Sequence, residues 1–342
     1  MPDARLRIAQ RYRRFAEVEA MGRSPLYAAI AAEVSKSEPV LDFLSSAPEE
    51  KWQPNLLLAT VRYLYGTPQT PEEFVAMVLR HADEIREFMG HRSTQTNEPA
   101  RCATLLPALA RLPQPLALLE VGAAAGLCLL PDHYGYDYGS QRVEPRLRTA
   151  ISPPVFPCRA GGGTPLPQRN VEVAWRAGLD LHPVDLRDES DVHWLEALVW
   201  PGEEHRLPRL KAACDIARAR PPKVVRGDLR RDLPRLASEA PAEATLVVFH
   251  TAVLAYVPDA AERAAFAQSV LESGAVWIAN ESPENIPGVS RELVREQPDK
   301  DAFLLCLNGA PAAWTDGHGT WVKWRRLPRG CPDSAFRFPN RG

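Results

Sequence analysis

The sequence predicts an α/β protein in which a helical N-terminal region precedes a domain built around a largely parallel sheet. Apolar residues recur at helical spacing over residues 1–112. Beyond them, short apolar runs rich in β-branched residues alternate with helical stretches, a pattern typical of βαβ units with parallel strands. We therefore expect two regions, residues 1–112 and residues 113–342, with residues 134–170 inserted in the second.

The composition is that of an ordinary globular protein and argues against several functional classes. The 342 residues are 45% hydrophobic and 25% charged, with a formal net charge of -2, so we expect no nucleic-acid partner. No apolar run approaches the roughly 18 residues of a membrane span, and the charged N-terminus does not resemble a signal peptide. The 6 cysteines are scattered without a CxxC pair, which favours a reducing compartment and predicts no metal site. We expect a cytoplasmic protein, and the oligomeric state stays open.

The N-terminal region contains one well-marked helix start and one polar segment. Thr70 can cap a helix whose first residue is Pro71, with Glu73 at the capping-box position. The polar segment, residues 93–98, precedes a helical stretch that leads into the linker at residues 112–115.

Three residues of this polar segment are candidates for substrate binding: Gln95, Asn97 and Glu98. In a purely structural interpretation, Thr96 or Asn97 caps the next helix and Glu98 favours its dipole. Because three hydrogen-bonding residues exceed what a cap requires, we expect them to contact the substrate.

Five strands and a terminal hairpin are predicted for the second region. The strands are Leu116–Val121, Ala174–Leu181, Lys223–Arg226, Ala244–His250 and Ala275–Ala279, and the hairpin pairs Phe303–Leu307 with Thr320–Trp324. The intervening helices are Asp191–Val199, His205–Arg218 and Ala260–Glu272. The proline- and glycine-rich segment Tyr134–Asn170 is too long for an ordinary connection, so we expect an inserted antiparallel ribbon there.

A glycine-containing turn follows the first predicted strand directly. Its pattern is Glu120-x-Gly122-x-x-x-Gly126, with Ala124 between the two glycines. Small residues let the backbone turn sharply and approach a ligand, and the next helix would offer free amides. The pattern is neither GxGxxG nor a Walker motif. It predicts a cofactor-binding turn, with close strand–helix packing as the structural alternative.

Polar residues also end the other predicted strands. Asp180 lies at the end of the second strand and Asp228 follows the third, while His250-Thr251 and Asn280-Glu281 stand at the ends of the next two. In an open α/β sheet the ligand lies outside the carboxyl ends of the strands. Each residue alone could be a cap or a surface residue, but five such ends together predict a binding crevice.

The turn resembles the E/DxGxGxG motif of class I S-adenosylmethionine-dependent methyltransferases, with Ala124 in place of the middle glycine. The resemblance implies a Rossmann-like sheet and S-adenosylmethionine as the cofactor. It also implies an acidic residue at the end of the second strand that binds the ribose, and a Gly-Asp pair near the adenine after the third. Asp180 and Asp228 match these positions. Asp185 and Asp137 remain alternatives for the ribose, and Asp228 could instead cap a helix.

Several longer blocks are similar to those of the bacterial DUF2332 proteins. The blocks are residues 11–16, 94–98, 120–127, 174–183, 194–201 and 247–258. The resemblance extends over nearly the whole chain and implies a methyltransferase-like fold with an unassigned activity. Ala124 and Cys128 differ from the motif EVGASAGLN that this family has at the turn.

Three further residues near the strand ends are candidates for catalysis or substrate binding. His250 closes an apolar strand, and since an imidazole titrates near neutral pH we expect it to act as a general base, assisted by Glu281. The alternative for His250 is a packed, hydrogen-bonded residue. Tyr256 is either an aromatic lid that binds the substrate or a core residue.

The function that these residues predict is methyl transfer from S-adenosylmethionine to a small or medium-sized molecule. Catalysis would consist of orientation and water exclusion, because the sulfonium already activates its methyl group. We expect one shared pocket, with the cofactor beside Glu120 and Asp180 and the acceptor between residues 95–98 and His250. The alternatives are an enzyme of the same fold with acid–base chemistry, or a non-enzymatic binding protein.

Overall fold

The computed structural model describes residues 2–95, 97–147 and 151–325 and divides into two compact units. The helical unit contains the described residues of Met1–Thr96 and Arg187–Pro208, and the sheet unit contains those of Asn97–Leu186 and Arg209–Gly342. The division therefore falls near residue 97 rather than residue 112, and residues 187–208 belong with the N-terminal helices.

The described residues contain twelve α-helices. They are α1 (Pro2–Arg14), α2 (Pro25–Val34), α3 (Glu38–Ser45), α4 (Pro54–Tyr65), α5 (Pro71–Arg80), α6 (Ala82–His91), α7 (Arg101–Leu109), α8 (Glu189–Ala197), α9 (Leu207–Ala219), α10 (Leu233–Ala237), α11 (Ala260–Glu272) and α12 (Arg291–Arg295). The predicted start of α5 is confirmed, because Thr70 Oγ1 accepts a hydrogen bond from Glu73 N at 3.2 Å. None of these helices is long and apolar enough to cross a membrane.

Helix α8 belongs to the helical unit because its apolar residues are buried there. Trp194 is 2% exposed and lies in the same core as Tyr12, Ile30 and Leu57. Its indole Nε1 donates to Ser93 O at 3.1 Å. Burying an aromatic side chain of this size contributes up to about 3 kcal/mol, so this contact explains why a segment expected near the sheet packs with the helices instead.

The described residues also contain twelve strands. They are β1 (Leu116–Val121), β2 (Gly135–Asp137), β3 (Arg142–Val143), β4 (Val155–Pro157), β5 (Arg159–Ala160), β6 (Val173–Asp180), β7 (Lys223–Arg226), β8 (Thr245–Thr251), β9 (Val276–Glu281), β10 (Ala302–Leu307), β11 (Ala310–Asp316) and β12 (Trp321–Trp324). Nine of them form one sheet in the order β5-β12-β11-β10-β9-β8-β1-β6-β7.

Five neighbouring strands, in the order β7-β6-β1-β8-β9, pair in parallel. Strands β10, β11 and β12 then extend the sheet from β9 with antiparallel pairs. The protein is thus a mixed α/β protein with a large, mostly parallel central sheet, as the sequence predicts. In the parallel part, β6 and then β7 lie on one side of β1, and β8 and then β9 lie on the other side. The point between β1 and β8, where the order reverses, is the switch point of the sheet.

The expected pairing of β10 with β12 is wrong, because β11 lies between them. Asn308 and Gly309 have φ values of 49° and 80°, so these two residues form the tight turn that joins β10 to β11. Asn-Gly between two strands is the sequence signal for such a hairpin. The hairpin is therefore formed by consecutive strands, and β12 pairs with β11.

The inserted segment contains less antiparallel structure than expected. Strand β2 pairs antiparallel with β3 but parallel with β4, and these three strands form a small second sheet. Strand β5 instead joins the edge of the large sheet along β12. The insertion therefore combines a short hairpin with an edge strand rather than one continuous ribbon.

The carboxyl ends of the parallel strands meet at one edge of the sheet, which we call the carboxyl edge. Val121 pairs with His250, and Asp180 pairs with Arg226. Successive side chains on a strand point to opposite faces. On β1, Leu119 and Val121 belong to the apolar core that includes Phe266 of α11, so Glu120 between them faces the opposite side of the sheet.

Candidate functional site

The chain turns sharply where β1 reaches the carboxyl edge. Gly122, Ala124 and Gly126 have φ values of 72°, 47° and 71°, a region that glycine adopts freely and alanine at a cost. Two three-residue turns of 3-10 helix, Leu127–Leu129 and Pro131–His133, follow. The α-helix that was expected to offer free amides after the turn is therefore absent from residues 127–133.

Both glycines are required by the packing of the chain on itself. A Cβ atom at Gly122 would lie 2.4 Å from Val253 Cγ2, and one at Gly126 would lie 2.6 Å from Pro222 Cγ. Such distances are far shorter than any ordinary carbon–carbon contact, so neither position tolerates a larger residue without movement. Close packing alone therefore explains why glycines stand at positions 122 and 126. Such packing was the alternative to a cofactor-binding turn in the sequence analysis.

The backbone amides of the turn are already hydrogen-bonded. Ala124 N donates to Asp180 Oδ2 at 2.8 Å, and Ala125 N donates to Asn97 Oδ1 at 2.9 Å. Gly122 N and Gly126 N donate to backbone carbonyls at 2.7 and 2.6 Å. A ligand at this edge would therefore meet side chains rather than free turn amides.

Glu120 is a buried carboxyl group with an unused oxygen. The residue is 4% exposed, and its Oε2 has no hydrogen-bond partner among the described residues. Burial raises the pKa of Glu120 well above its usual value, the nearby Cys128 and Asp180 raise it further, and Arg101 opposes them. A buried acceptor without a partner costs free energy, so this oxygen is a place where a ligand donor would be stabilising.

Arg101 brings a buried positive charge to the same face of the sheet. It is 4% exposed, its Nε donates to Gly317 O at 2.8 Å, and its Nη1 donates to Thr251 O and Oγ1 at 3.1 and 3.0 Å. All three acceptors are neutral oxygens, and no carboxylate within the described ranges forms an ion pair with it. A buried guanidinium whose hydrogen-bond acceptors are all neutral favours an anionic ligand group.

Asn97 and Glu98 lie beside this turn. Asn97 Oδ1 accepts from Ala125 N, and its Nδ2 is buried without a partner in the described part of the chain. Glu98 Oε1 accepts from Ala100 N at 3.1 Å, close to the start of α7, and its Oε2 lies 3.9 Å from His318 Nδ1.

The rest of the predicted substrate-binding segment is not part of this cluster. Gln95 is half-buried and belongs to the helical unit, and Thr96 lies outside the described residues. Asn97 therefore binds the glycine turn rather than capping α7, whereas Glu98 has the cap-like contact.

His250 and Glu281 form a closed hydrogen-bonded pair. They are 0% and 1% exposed, and His250 Nδ1 lies 2.7 Å from Glu281 Oε1. Trp277 Nε1 donates to His250 Nε2 at 2.9 Å, so His250 carries its proton on Nδ1 and donates it to Glu281. Neither ring nitrogen is left to accept a substrate proton, and this geometry favours the packed role that the sequence left open.

The two halves of the expected shared pocket lie at one edge but on opposite faces of the sheet. His250 contacts Phe266 on the α11 side, with ring centroids 5.6 Å apart, whereas Glu120 faces the side of Arg101. Glu281 accepts from Val253 N at 2.8 and 3.0 Å, and Val253 is the residue that packs on Gly122. His250 and Glu281 therefore stabilise the turn from the face of the sheet opposite to Glu120.

The acidic candidates for the ribose and adenine positions differ in what they contact. Asp180 bonds the turn and also accepts from His182 N at 2.7 Å, and Asp185 is exposed next to Val184, whose N–H donates to Ala124 O. Asp137 lies in the small second sheet and pairs with Arg142, and among the described residues it forms no hydrogen bond with the turn after β1.

Asp228 is bound by its own chain. Arg230 donates to it through the backbone N and Nε, both at 2.9 Å, and through Nη2 at 2.5 Å. The hydrogen bonds from Arg230 lower the pKa of Asp228 to about 2. Tyr256, which follows β8, is 62% exposed and therefore does not belong to the core.

Sequence reasoning missed Arg101 and His318. A basic residue in the first turn of a helix interacts unfavourably with the helix dipole. The position of Arg101 at the start of α7 therefore indicates that it is present for a reason other than helix stability. His318 lies in the turn between β11 and β12, where no local pattern marks it.

The fold and site define an α/β protein with a candidate ligand-binding site, in which a buried carboxyl, a buried guanidinium and a buried amide lie at the carboxyl edge beside the switch point. The chain matches the family described as "Uncharacterized protein conserved in bacteria (DUF2332)" over residues 9–324. It therefore belongs to this family, as the resemblance of its blocks predicted. Searches of curated proteins and of solved structures found no significant match.

Proposed function

We propose that the sheet unit binds S-adenosylmethionine at the carboxyl edge and transfers its methyl group to a small or medium-sized molecule. The observation that carries this proposal is the unpartnered, buried Oε2 of Glu120 beside the switch point of a parallel sheet. In sheets of this kind the ligand lies at that point. The strand order β7-β6-β1-β8-β9 supports a Rossmann-like methyltransferase arrangement.

The charges of the site suit the groups of such a ligand. Glu120 offers a hydrogen-bond acceptor for an ammonium group, and Arg101 offers a donor for a carboxylate, so together they complement an amino-acid moiety. Asp180, whose carboxylate binds Ala124 N and His182 N at the carboxyl edge, is the residue that we assign to the ribose hydroxyls. The turn amides are occupied, so we place binding on side chains and on the close approach of the backbone near Ala124.

The bound cofactor would supply a methyl group that its sulfonium already activates. The protein's part is then to orient the reactants and exclude water. Tyr256 follows β8 and Leu181 follows β6, the two strands on either side of β1. Their side chains are 62% and 57% exposed. At the carboxyl edge these two side chains would cover the bound ligand. His250 and Glu281 take a positioning role, since they hold Val253 against the turn.

The acceptor would lie on the Asn97 side of the same face. Asn97 Nδ2 is a buried donor that a carbonyl or carboxylate of the acceptor would satisfy. Glu98 and Tyr256 are the other residues that we assign to acceptor contact. Gln95 is not included, because it belongs to the helical unit.

The proposal is tested by product formation. Purified protein is incubated with S-adenosylmethionine and a bacterial small-molecule extract, and S-adenosylhomocysteine is quantified by mass spectrometry. We expect extract-dependent formation by the wild type and by Glu284→Gln, an exposed control, and at least tenfold less by Glu120→Gln. Wild-type protein that is folded, binds the cofactor and forms no S-adenosylhomocysteine with any extract would contradict methyl transfer.

A second candidate is acid–base chemistry at the same site. The raised pKa of the buried Glu120 favours it, because a carboxyl group that keeps its proton can donate it to a substrate. The same incubation distinguishes the two: acid–base chemistry would change a compound in the extract without forming S-adenosylhomocysteine.

A further inference from the structure

We propose a second binding site, for an organic phosphate, in a cleft at the amino ends of β1 and β6. The cleft has a volume of about 560 Å³, within the range of about 300–1,000 Å³ that is usual for small-molecule sites. Gln114 lies two residues before β1 and Glu172 directly before β6, and both belong to its lining. It therefore lies at the opposite edge of the sheet from Glu120 and does not depend on the function proposed above.

The lining of the cleft is strongly basic. Arg111, Arg146 and Arg169 come from three separate chain segments and converge on it, and Glu172 is the single acidic residue among the lining residues. The whole chain carries a formal net charge of -2, so this local excess of positive charge is not a consequence of composition. Several guanidinium groups around one concavity are suited to phosphate, which they bind with paired, charge-assisted hydrogen bonds.

The walls of the cleft are held in place by hydrogen bonds within the chain. Gln114 Nε2 donates to Leu109 O and Leu112 O at 3.1 and 3.0 Å, while its Oε1 accepts from Glu172 N at 2.9 Å. Asn170, 8% exposed, donates to Pro131 O and Tyr134 O at 3.2 and 3.0 Å. A preformed cavity loses little conformational entropy on binding, which favours a ligand site over an accidental surface concavity.

The ligand should carry an organic group as well as a phosphate. Leu166, flanked by Pro165 and Pro167, forms an apolar wall beside the arginines. Arg146 is partly neutralised, because its Nη2 lies 2.6 Å from Glu172 Oε2. Arg169 has no ion pair in the described ranges, so its guanidinium is the group that we assign to the phosphate.

Phenyl phosphate is the probe that tests this site in the full-length protein. Calorimetric titration should show saturable binding that is tighter than that of inorganic phosphate, which lacks the organic part, and of phenol, which lacks the charge. Arg169→Gln should weaken the binding of phenyl phosphate about fivefold, as expected for an exposed charge pair. Arg295→Gln, which removes an exposed arginine of α12 elsewhere on the sheet unit, should leave it unchanged.

Three results would overturn the proposal. These are no binding of phenyl phosphate at millimolar concentration, equal binding of inorganic phosphate, or equal losses in Arg169→Gln and Arg295→Gln. The last result would mean that only the overall charge matters. Thermal unfolding of each variant establishes that it is folded, and Arg111→Gln provides a second variant if Arg169→Gln is not.

Discussion

Replacing Glu120 by glutamine should stabilise the protein, and increasingly so as the pH rises. The substitution keeps the shape of the side chain but removes its ionisation. An unfolded glutamate ionises near pH 4.3, whereas burial raises the pKa of Glu120 in the folded protein. Between these two values the folded state binds more protons than the unfolded state, so the free energy of unfolding of the wild type falls as the pH rises.

The size of the effect follows from linkage. Across this window the wild type loses about 1.4 kcal/mol per pH unit relative to Glu120→Gln, and the difference levels off above the raised pKa. Urea unfolding of both proteins at half-unit steps from pH 4 to pH 9 measures the difference directly. Glu284→Gln, at an exposed position, is the matched control for a Glu-to-Gln substitution outside the site. Parallel curves for the wild type and Glu120→Gln would refute the assignment of Glu120 as a buried, uncompensated carboxyl group.

Further predictions concern the residues around the turn. Asp180→Ala should weaken S-adenosylhomocysteine binding roughly tenfold to a hundredfold, more than Asp185→Ala does, as calorimetry would show; the reverse order would assign the ribose contact to Asp185. Gly122→Ala should destabilise the protein by about 1–3 kcal/mol, as urea unfolding would show. Because the added Cβ would meet Val253, the effects of Gly122→Ala and Val253→Ala should not add, and the double variant should reveal a coupling energy of at least about 1 kcal/mol between the two substitutions. Additive effects would contradict the packing explanation. His250→Leu should cost at least about 1 kcal/mol of stability in urea unfolding, since it leaves the buried Trp277 Nε1 without an acceptor. It should weaken S-adenosylhomocysteine binding less than Glu120→Gln does, because His250 acts on the turn only through Glu281 and Val253; an equal or larger loss of binding would assign His250 a direct ligand contact.

Local signals in the sequence were sufficient for the elements that carry the site. Strand β1 and helix α11 have the predicted bounds. A short apolar run specifies β1, and a helical spacing of apolar residues specifies α11, so neither depends on contacts with distant residues. The helix start at Thr70 is confirmed for the same reason. The gathering of Glu120 and Asp180 at one edge also follows from the parallel order alone.

Features that depend on tertiary pairing could not be predicted. Whether His250 shares a face with Glu120 depends on strand register, and shifting a strand by one residue exchanges its faces. Strand β11 was missed since its alanines and proline have low strand propensity, and its position is set by the tight turn before it. Helix α8 lies in the helical unit because of where Trp194 is buried, which periodicity does not reveal.

The most direct test of the central claim, a ligand site at Glu120, is calorimetric titration of S-adenosylhomocysteine into the wild type, Glu120→Gln and Glu284→Gln. Because Glu120→Gln should be at least as stable as the wild type, a loss of binding in this variant cannot be attributed to unfolding. We predict one ligand per chain for the wild type and for Glu284→Gln, and at least tenfold weaker binding for Glu120→Gln. Folded wild-type protein that gives no binding heat at millimolar ligand, or Glu120→Gln that binds as tightly as the wild type, would contradict the account.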